Sequence, residues 1–257
     1  ALVNILQEGD IQIRGFRIRL PLDIQFVFTA NPEDYTNRGS IVTPLKDRIE
    51  SQILTHYPKD IATSKIITHQ EANINSTQNN SVQLNEIAKD LIEQIAFEAR
   101  KSEYVDQKSG VSARMTITAL ENLVSGAERR SLKSNESKTF VRVSDFWSVI
   151  PSITGKIELV YEGEQEGPYI VAVNLIGKAI RSQFTNYFPA PEKAKKPIGK
   201  KTETQQDPKR KNIYQEIIDW FNEGNTVDLL NESSAIDYRR SLDRKKTRSK
   251  ITSRSCC

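Results

Sequence analysis

A run of strand-forming residues at positions 24–29, with the sequence IQFVFT, places the strongest constraint on how this chain folds. β-Branched and aromatic residues favour strands, and nearly continuous hydrophobicity is typical of a strand buried on both faces, as in the parallel sheet of an α/β domain. The run ends abruptly at Asn31 and Pro32, where the sequence becomes polar. The pattern therefore predicts a buried strand with an amide side chain beyond its carboxyl end.

The residues before this run predict a β-hairpin at about 9–20. Apolar residues alternate with polar ones on both sides of Gly15, which is the pattern of two antiparallel strands joined by a tight turn. Arg14, Arg17 and Arg19 make the polar face of this hairpin basic. Helical spacing of apolar residues predicts helices on either side, at 1–7 and at 43–54.

The rest of the chain mainly predicts helices, with loops between them. Apolar spacing predicts amphipathic helices at 84–95, after Gly110 with Ser109 or Ser112 as N-cap, near 144–150 with Pro151 as its end, at 169–188 and at 213–223. Polar and Gly-rich stretches predict loops at 73–81 and 162–168, and the Pro/Lys-rich stretch 189–211 predicts a linker. No structure is predicted beyond about residue 235.

Length, cysteine content and hydropathy narrow the class of protein. The 257 residues suffice for one large or two modest domains. No apolar run approaches the ~20 residues of a membrane helix. The two cysteines are adjacent at the end, which fits a reducing, cytoplasmic location. His56 and His69 have no cysteine or carboxylate cluster at ligand spacing, so no zinc site is expected.

Positive charge is concentrated in two segments near the end of the chain. Residues 191–212 contain eight Lys or Arg and three acidic residues, and residues 239–254 contain eight Lys or Arg and one acidic residue. With a total charge of +4, the remainder carries about −8. Basic segments bind nucleic acid through its phosphates, but these two lack aromatic residues for stacking on bases, so a solvated tail is favoured over a nucleic-acid site.

Three stretches in order, ALVNILQEGDIQIRG, FVFTANPED and PLKDRIESQI, together resemble the second half of an AAA+ ATPase module. The likeness is to the clade of the magnesium-chelatase ATPase subunit I, the MoxR ATPases and the bacterial enhancer-binding activators. It covers roughly residues 1–130. It implies an α/β fold, namely the C-terminal portion of a P-loop AAA+ parallel sheet followed by a helical lid domain and a further, mostly helical segment.

This resemblance and the order of elements predict four parts. Residues 1–62 would form the C-terminal half of the AAA+ α/β core, with the pre-sensor hairpin, sensor 1 and the arginine finger. Residues 63–135 would form the helical lid with sensor 2. Residues 136–188 would be a mixed or helical extension. Residues 189–257 would contain a linker, a short helix near 213–223 and a basic tail.

The resemblance also implies roles for three polar side chains. Asn31 matches the sensor-1 residue, whose amide positions a hydrolytic water or binds the γ-phosphate. Arg48 matches the arginine finger that reaches the nucleotide of a neighbouring subunit, and Arg38 is a competing candidate. Arg114, in the sequence GVSAR, matches sensor 2 at the start of a lid helix, where a cation and helix N–H groups both favour phosphate. A turn residue and two surface arginines are the ordinary alternatives.

Two phosphate-binding motifs of that family have no counterpart in the sequence. G-x-x-x-x-G-K-[S/T] is absent, and no apolar run ends in Asp-Glu to hold Mg²⁺. In the family both motifs precede the helix matched by residues 1–7, so we expect the chain to begin just after Walker B. The complete module would use ATP and Mg²⁺, whereas this chain alone would neither bind ATP tightly nor hydrolyse it.

The resemblance implies a homo-oligomer, typically a hexameric ring, that couples ATP hydrolysis to remodelling of a partner protein or complex. Chelatase-like and MoxR-like relatives often act with a von Willebrand factor A type partner protein. Two other functions stay open at this point. One is a transcription activator of the enhancer-binding type, and the other is a non-enzymatic adaptor whose lid and tail bind proteins.

Overall fold

The computed structural model describes residues 10–19, 25–29, 49, 51–191, 214–227 and 234–243. The chain divides into two units, Ala1–Tyr57 and Pro58–Cys257. Helices make up most of the described second unit, and short strand pairings occur in both units, so the fold is mixed α/β.

The hairpin predicted in the first unit is confirmed. Strands β1 (Asp10–Ile13) and β2 (Phe16–Arg19) pair antiparallel, with Ile11 opposite Ile18. The two turn residues, Arg14 and Gly15, have φ values of 49° and 87°. A two-residue hairpin turn of this kind requires positive φ at both positions, which explains the glycine.

The apolar run after the hairpin does not form the predicted buried strand. Residues 25–29 have no regular secondary structure, and Val27 is 82% exposed. A strand needs a neighbour to accept and donate its backbone hydrogen bonds, and no described residue pairs with this segment. Residues 51–54 of the helix predicted at 43–54 are not helical either. The helix at 1–7 lies outside the described residues.

The second unit has one apolar core and nine described helices. They are α1 (Ile61–Glu71), α2 (Ser76–Ser81), α3 (Glu86–Ala99), α4 (Arg114–Lys133), α5 (Ile150–Thr154), α6 (Tyr161–Glu166), α7 (Pro168–Tyr187), α8 (Gln215–Asn222) and α9 (Ala235–Asp243). A 3₁₀ helix, Val143–Val149, precedes α5. Helix α3 packs along α7, and α4 packs against the 3₁₀ helix and α5. The helices predicted at 84–95, after Gly110, at 169–188 and at 213–223 are thereby confirmed.

Side-chain caps explain where several of these helices begin. Asp60, Asn75 and Asn85 each accept a hydrogen bond from a backbone N–H three residues later, at 2.7–2.8 Å. Such caps stabilise a helix start by about 1 kcal/mol. The loop predicted at 73–81 is wrong because Asn75 forms a capping box with Gln78 and starts the polar helix α2.

Three other expectations for the second unit need correction. Pro151 lies in the first turn of α5 and so begins a helix instead of ending one, which is a position where its missing N–H costs nothing. Residues 161–166, predicted mainly as loop, form α6, and the chain turns at Gly167 with a φ of 99°. Helix α9 lies beyond residue 235, where no structure was expected.

A small parallel sheet joins segments that the sequence assigned to separate parts. Strand β3 (Val82–Gln83) pairs with β4 (Thr139–Phe140), and single bridges link Val105 to Leu159 and Val111 to Ile157. One hydrophobic core includes buried residues from both 63–135 and 136–188. Within the described residues, the division predicted at residue 135 does not coincide with a break in that core.

At two glycines of the second unit, substitution by alanine should have opposite effects on stability. An alanine Cβ at Gly163 would lie 2.5 Å from the Tyr104 carbonyl oxygen, whereas one at Gly177 meets nothing within 4 Å. We expect Gly163→Ala to destabilise the fold by about 1–3 kcal/mol. Gly177→Ala, in the exposed middle of α7, should stabilise it by roughly 0.5–1 kcal/mol. Urea unfolding measures both, and equal shifts would contradict the close packing of α6.

Candidate functional site

Arg114 is the predicted site residue that the structure describes, and it lies at the first position of helix α4. Its side chain is exposed, and no residue among those described forms a hydrogen bond or ion pair with it. No side chain caps α4 at Ala113, although the Ser112 hydroxyl accepts the Arg114 N–H at 3.2 Å. A cation in the first turn of a helix is disfavoured by the macrodipole, so this arginine does not stabilise its own helix.

The backbone around Arg114 is fixed from both sides. Val111, three residues earlier, bridges to Ile157, and Gly110 takes a φ of 71° to make the turn. Met115, one residue later, is buried in the core. The fold therefore holds the start of α4 in place and directs the Arg114 guanidinium to solvent, where it is available to an anion.

The other predicted site residues cannot be placed relative to Arg114. Asn31, Arg48 and the competing candidate Arg38 all lie outside the described residues. They also belong to the first unit, whereas Arg114 belongs to the second. Their convergence on one nucleotide stays a prediction.

A buried polar network lies behind the start of α4, and the sequence did not point to it. Glu93 of α3 is 1% exposed and accepts a hydrogen bond from the Ser64 hydroxyl of α1 at 2.5 Å. Thr68 of α1 lies 2.8 Å from the Thr116 hydroxyl of α4, which donates to the Ala113 carbonyl at 3.1 Å. These polar contacts join α1 to α3 and to α4, and the one between Thr116 and Ala113 is adjacent in the chain to Arg114. Glu93 lies outside the apolar stripe of α3, so the sequence pattern gave no signal for its burial.

Burial raises the pKa of the Glu93 carboxyl above its usual value of 4.5. Hydrogen bonds from Ser64 and Thr68 and the charges of Arg100 and Lys65 act in the opposite direction but do not outweigh burial. The folded protein therefore holds this proton more tightly than the unfolded chain. The stability that Glu93 contributes is fully present below the unfolded pKa and falls as pH rises through the folded pKa.

Removing this carboxyl should flatten the dependence of stability on pH. Glu93→Gln keeps an oxygen that accepts the Ser64 hydroxyl but cannot ionise. We expect this variant to lose less free energy of unfolding than the parent as pH rises from 4.5, the ordinary pKa of the carboxyl, towards neutrality. Urea titrations across that range measure it, with Glu103→Gln, an exposed glutamate, as the matched control. Parallel pH profiles for parent and Glu93→Gln would contradict the assignment.

A second buried network fixes the other end of α4. Arg130 donates from Nε and Nη2 to the two carboxylate oxygens of Asp145 at 3.0 and 2.9 Å. It also donates to the Thr139 hydroxyl and the Phe140 carbonyl at 2.9 and 2.8 Å. Asp145 further accepts the Arg142 backbone N–H at 2.8 Å. Every polar atom of this ion pair is engaged within the protein, which indicates a structural role.

Other surfaces of the second unit have fewer groups that could bind or react with a ligand. A cavity of about 290 Å³ lies between α1, α2 and α3 and does not include Arg114; its lining includes His69, Gln78, Asn79, Gln83 and Lys89. In the described parts of the chain, no three His, Cys, Asp or Glu side chains are grouped as metal ligands. No helix within those parts has the length and apolar content needed to cross a membrane.

No protein-family model, curated protein or solved structure matches this chain. Its function is therefore argued from its own residues and from the motifs in its sequence.

Proposed function

We propose that this chain is the nucleotide-sensing part of an AAA+ ATPase of the magnesium-chelatase and MoxR type, which couples ATP hydrolysis to remodelling of a partner protein or complex. The observation that carries the proposal is Arg114. This arginine combines a fixed backbone, an exposed guanidinium without a partner among the described residues, and the first position of a helix. The sequence motif independently assigns sensor 2 to the same residue.

The chemistry of Arg114 suits a nucleotide phosphate. A guanidinium stays charged at all physiological pH values and binds two phosphate oxygens at once. The first-turn N–H groups of α4 add a favourable partial charge. When bound, ATP supplies the γ-phosphoryl group and Mg²⁺ neutralises part of its charge. The role of Arg114 is to contact that phosphate and so report the nucleotide state to the helices behind it.

The first unit supports the same proposal through its hairpin and its exposed apolar residues. The hairpin occurs where the motif order expects the pre-sensor hairpin. Phe26, Val27 and Phe28 are exposed in a segment with strand-forming sequence. In the proposed module, neighbouring parallel strands pair with the backbone of this segment and helices cover its side chains, and Asn31 follows at the carboxyl end of the completed strand. Walker A and Walker B, which the sequence lacks, belong to the same module.

The test compares this chain with a complete module that also contains Walker A and Walker B. We expect the 257-residue chain alone to show no saturable binding of a fluorescent ATP analogue and no turnover. The complete module should hydrolyse ATP and increase in mass when ATP is added. Asn31→Ala should abolish turnover but keep ATP binding. The proposal would be overturned if the isolated chain hydrolysed ATP, or if the complete module neither hydrolysed ATP nor increased in mass when ATP was added.

The arginine finger gives a second arm of this test. Arg48→Ala subunits and Walker B-inactive subunits should each be inactive alone. Mixing them should restore part of the activity, because an intact Arg48 from one subunit then meets an intact nucleotide site on the next. Arg38→Ala subunits are tested in the same way as the matched variant. If only the Arg38→Ala subunits regain activity when they are mixed with Walker B-inactive subunits, the finger is assigned to Arg38.

A further inference from the structure

Buried polar side chains form a continuous path from the carboxyl of Glu93 to the backbone at the start of α4. The Ser64 hydroxyl donates to Glu93 at 2.5 Å, and the Thr68 hydroxyl also forms a hydrogen bond with this carboxyl. The Thr68 hydroxyl lies 2.8 Å from that of Thr116, which lies 3.1 Å from the Ala113 carbonyl oxygen. The four side chains are between 1% and 4% exposed, so they depend on one another for hydrogen bonds.

A threonine hydroxyl has one hydrogen to donate, which limits the arrangements that this path can adopt. An ionised Glu93 only accepts hydrogen bonds, so Ser64 and Thr68 both donate to it. Thr68 then has no hydrogen left for Thr116, and the 2.8 Å contact between them requires Thr116 to donate to Thr68. The Thr116 hydrogen is therefore withdrawn from the Ala113 carbonyl, which keeps the first backbone hydrogen bond of α4.

A protonated Glu93 allows the opposite arrangement. Its O–H group donates to Thr68, which leaves the Thr68 hydrogen for Thr116. Thr116 then donates to the Ala113 carbonyl, as the 3.1 Å distance between their oxygens permits. The hydroxyls of Thr68 and Thr116 are satisfied in both arrangements, which differ in the direction of donation.

We propose that Glu93 controls a hydroxyl relay, formed by Thr68 and Thr116, that links its protonation to the backbone immediately before Arg114. When Glu93 ionises, donation along the relay reverses and the Ala113 carbonyl loses its second hydrogen bond. The relay rotates hydroxyl groups and transfers no proton between them. Any effect of the relay on a nucleotide at Arg114 rests on the proposed function, whereas the relay itself does not.

Two cations are the main charges that act on Glu93. Arg100, just beyond α3, and Lys65 of α1 both favour its ionised form, and Lys65 is itself paired with Asp90 of α3 at 2.7 Å. Among the described residues, no charged side chain of α4 or α7 forms a hydrogen bond or ion pair with Glu93. Burial outweighs the two cations and raises the pKa of the carboxyl, so Glu93 ionises closer to neutrality than an exposed glutamate does.

The test is a pH titration of the whole chain followed by carbon-13 NMR, with no nucleotide present. The side-chain carboxyl carbon of Glu93 gives the midpoint of its ionisation, and the Ala113 carbonyl carbon should shift with the same midpoint. Thr68→Val removes the relay hydroxyl, so the Ala113 carbon should lose most of this shift. Thr116→Val breaks the relay at the next step and should have the same effect, which keeps the test available if Thr68→Val does not fold.

Matched variants separate the relay from other titrations. Thr118→Val removes a hydroxyl that donates to the Arg114 carbonyl at 2.9 Å, and His69→Gln removes the ionisable side chain next to Thr68. Both should keep the Ala113 shift and its midpoint. A charge acting only through space would move the Ala113 carbon as far in Thr68→Val and Thr116→Val as in the parent. That result, or an Ala113 carbon that does not follow the Glu93 midpoint in the parent, would overturn the proposal.

Discussion

Asp145→Ala is expected to destabilise the second unit by about 3–5 kcal/mol, because it leaves the Arg130 charge buried without its counter-ion. The side chains of Arg130 and Asp145 are only 5% and 7% exposed. Bulk water therefore screens the remaining charge only weakly. The Arg142 backbone N–H loses its acceptor at the same time. Urea unfolding followed by circular dichroism measures the effect.

Two comparison variants show whether burial causes this loss. Asp237 and Arg240 of α9 form an ion pair at 3.5 Å whose side chains are 60% and 75% exposed. Asp237→Ala should cost less than about 1 kcal/mol, as expected for a surface pair. Arg130→Met combined with Asp145→Leu should recover much of the loss, because no buried charge is left unpaired. An Asp145→Ala variant as stable as Asp237→Ala would contradict the network.

The parts of the fold that sequence predicted correctly are those specified by local pattern. Residues 84–95 carry a complete apolar stripe, and the hairpin has both alternation and a glycine at the turn. Helix α2 was missed because STQNNS has no apolar stripe, and its capping box is its visible signal. The strand at 24–29 failed because a strand's hydrogen bonds come from other segments, which hydrophobicity alone does not supply.

The candidate site shows the same limit. Arg114 was selected because the motif and a predicted helix start coincide within a few residues, and its role as sensor 2 stays a prediction. The Arg130–Asp145 pair and the Ser64–Glu93 contact join residues 15 and 29 positions apart on different elements. Their pairing depends on how helices pack, and no periodicity in the sequence specifies it.

Arg114→Ala should lower ATP turnover by the complete module on the order of 10²-fold, the scale on which a single donor to developing charge contributes. The ATP turnover of Arg114→Lys should lie between those of Arg114→Ala and the parent, because lysine keeps the charge but loses the bidentate geometry. The fold should be unaffected, because the side chain is exposed and has no partner among the described residues. Removing a first-turn cation should even stabilise α4 slightly.

Arg181→Ala is the matched control for this prediction. Arg181 is an exposed arginine of the same helical unit, on α7, and no described residue pairs with it either. Its loss changes net charge by the same amount and should leave turnover at the parent rate. Complete modules that carry Arg114→Ala or Arg181→Ala are compared at saturating and at low ATP. If both hydrolyse ATP equally well, the exposed guanidinium at the start of α4 contacts no nucleotide. The observation that carries the proposed function would then reduce to an ordinary surface arginine.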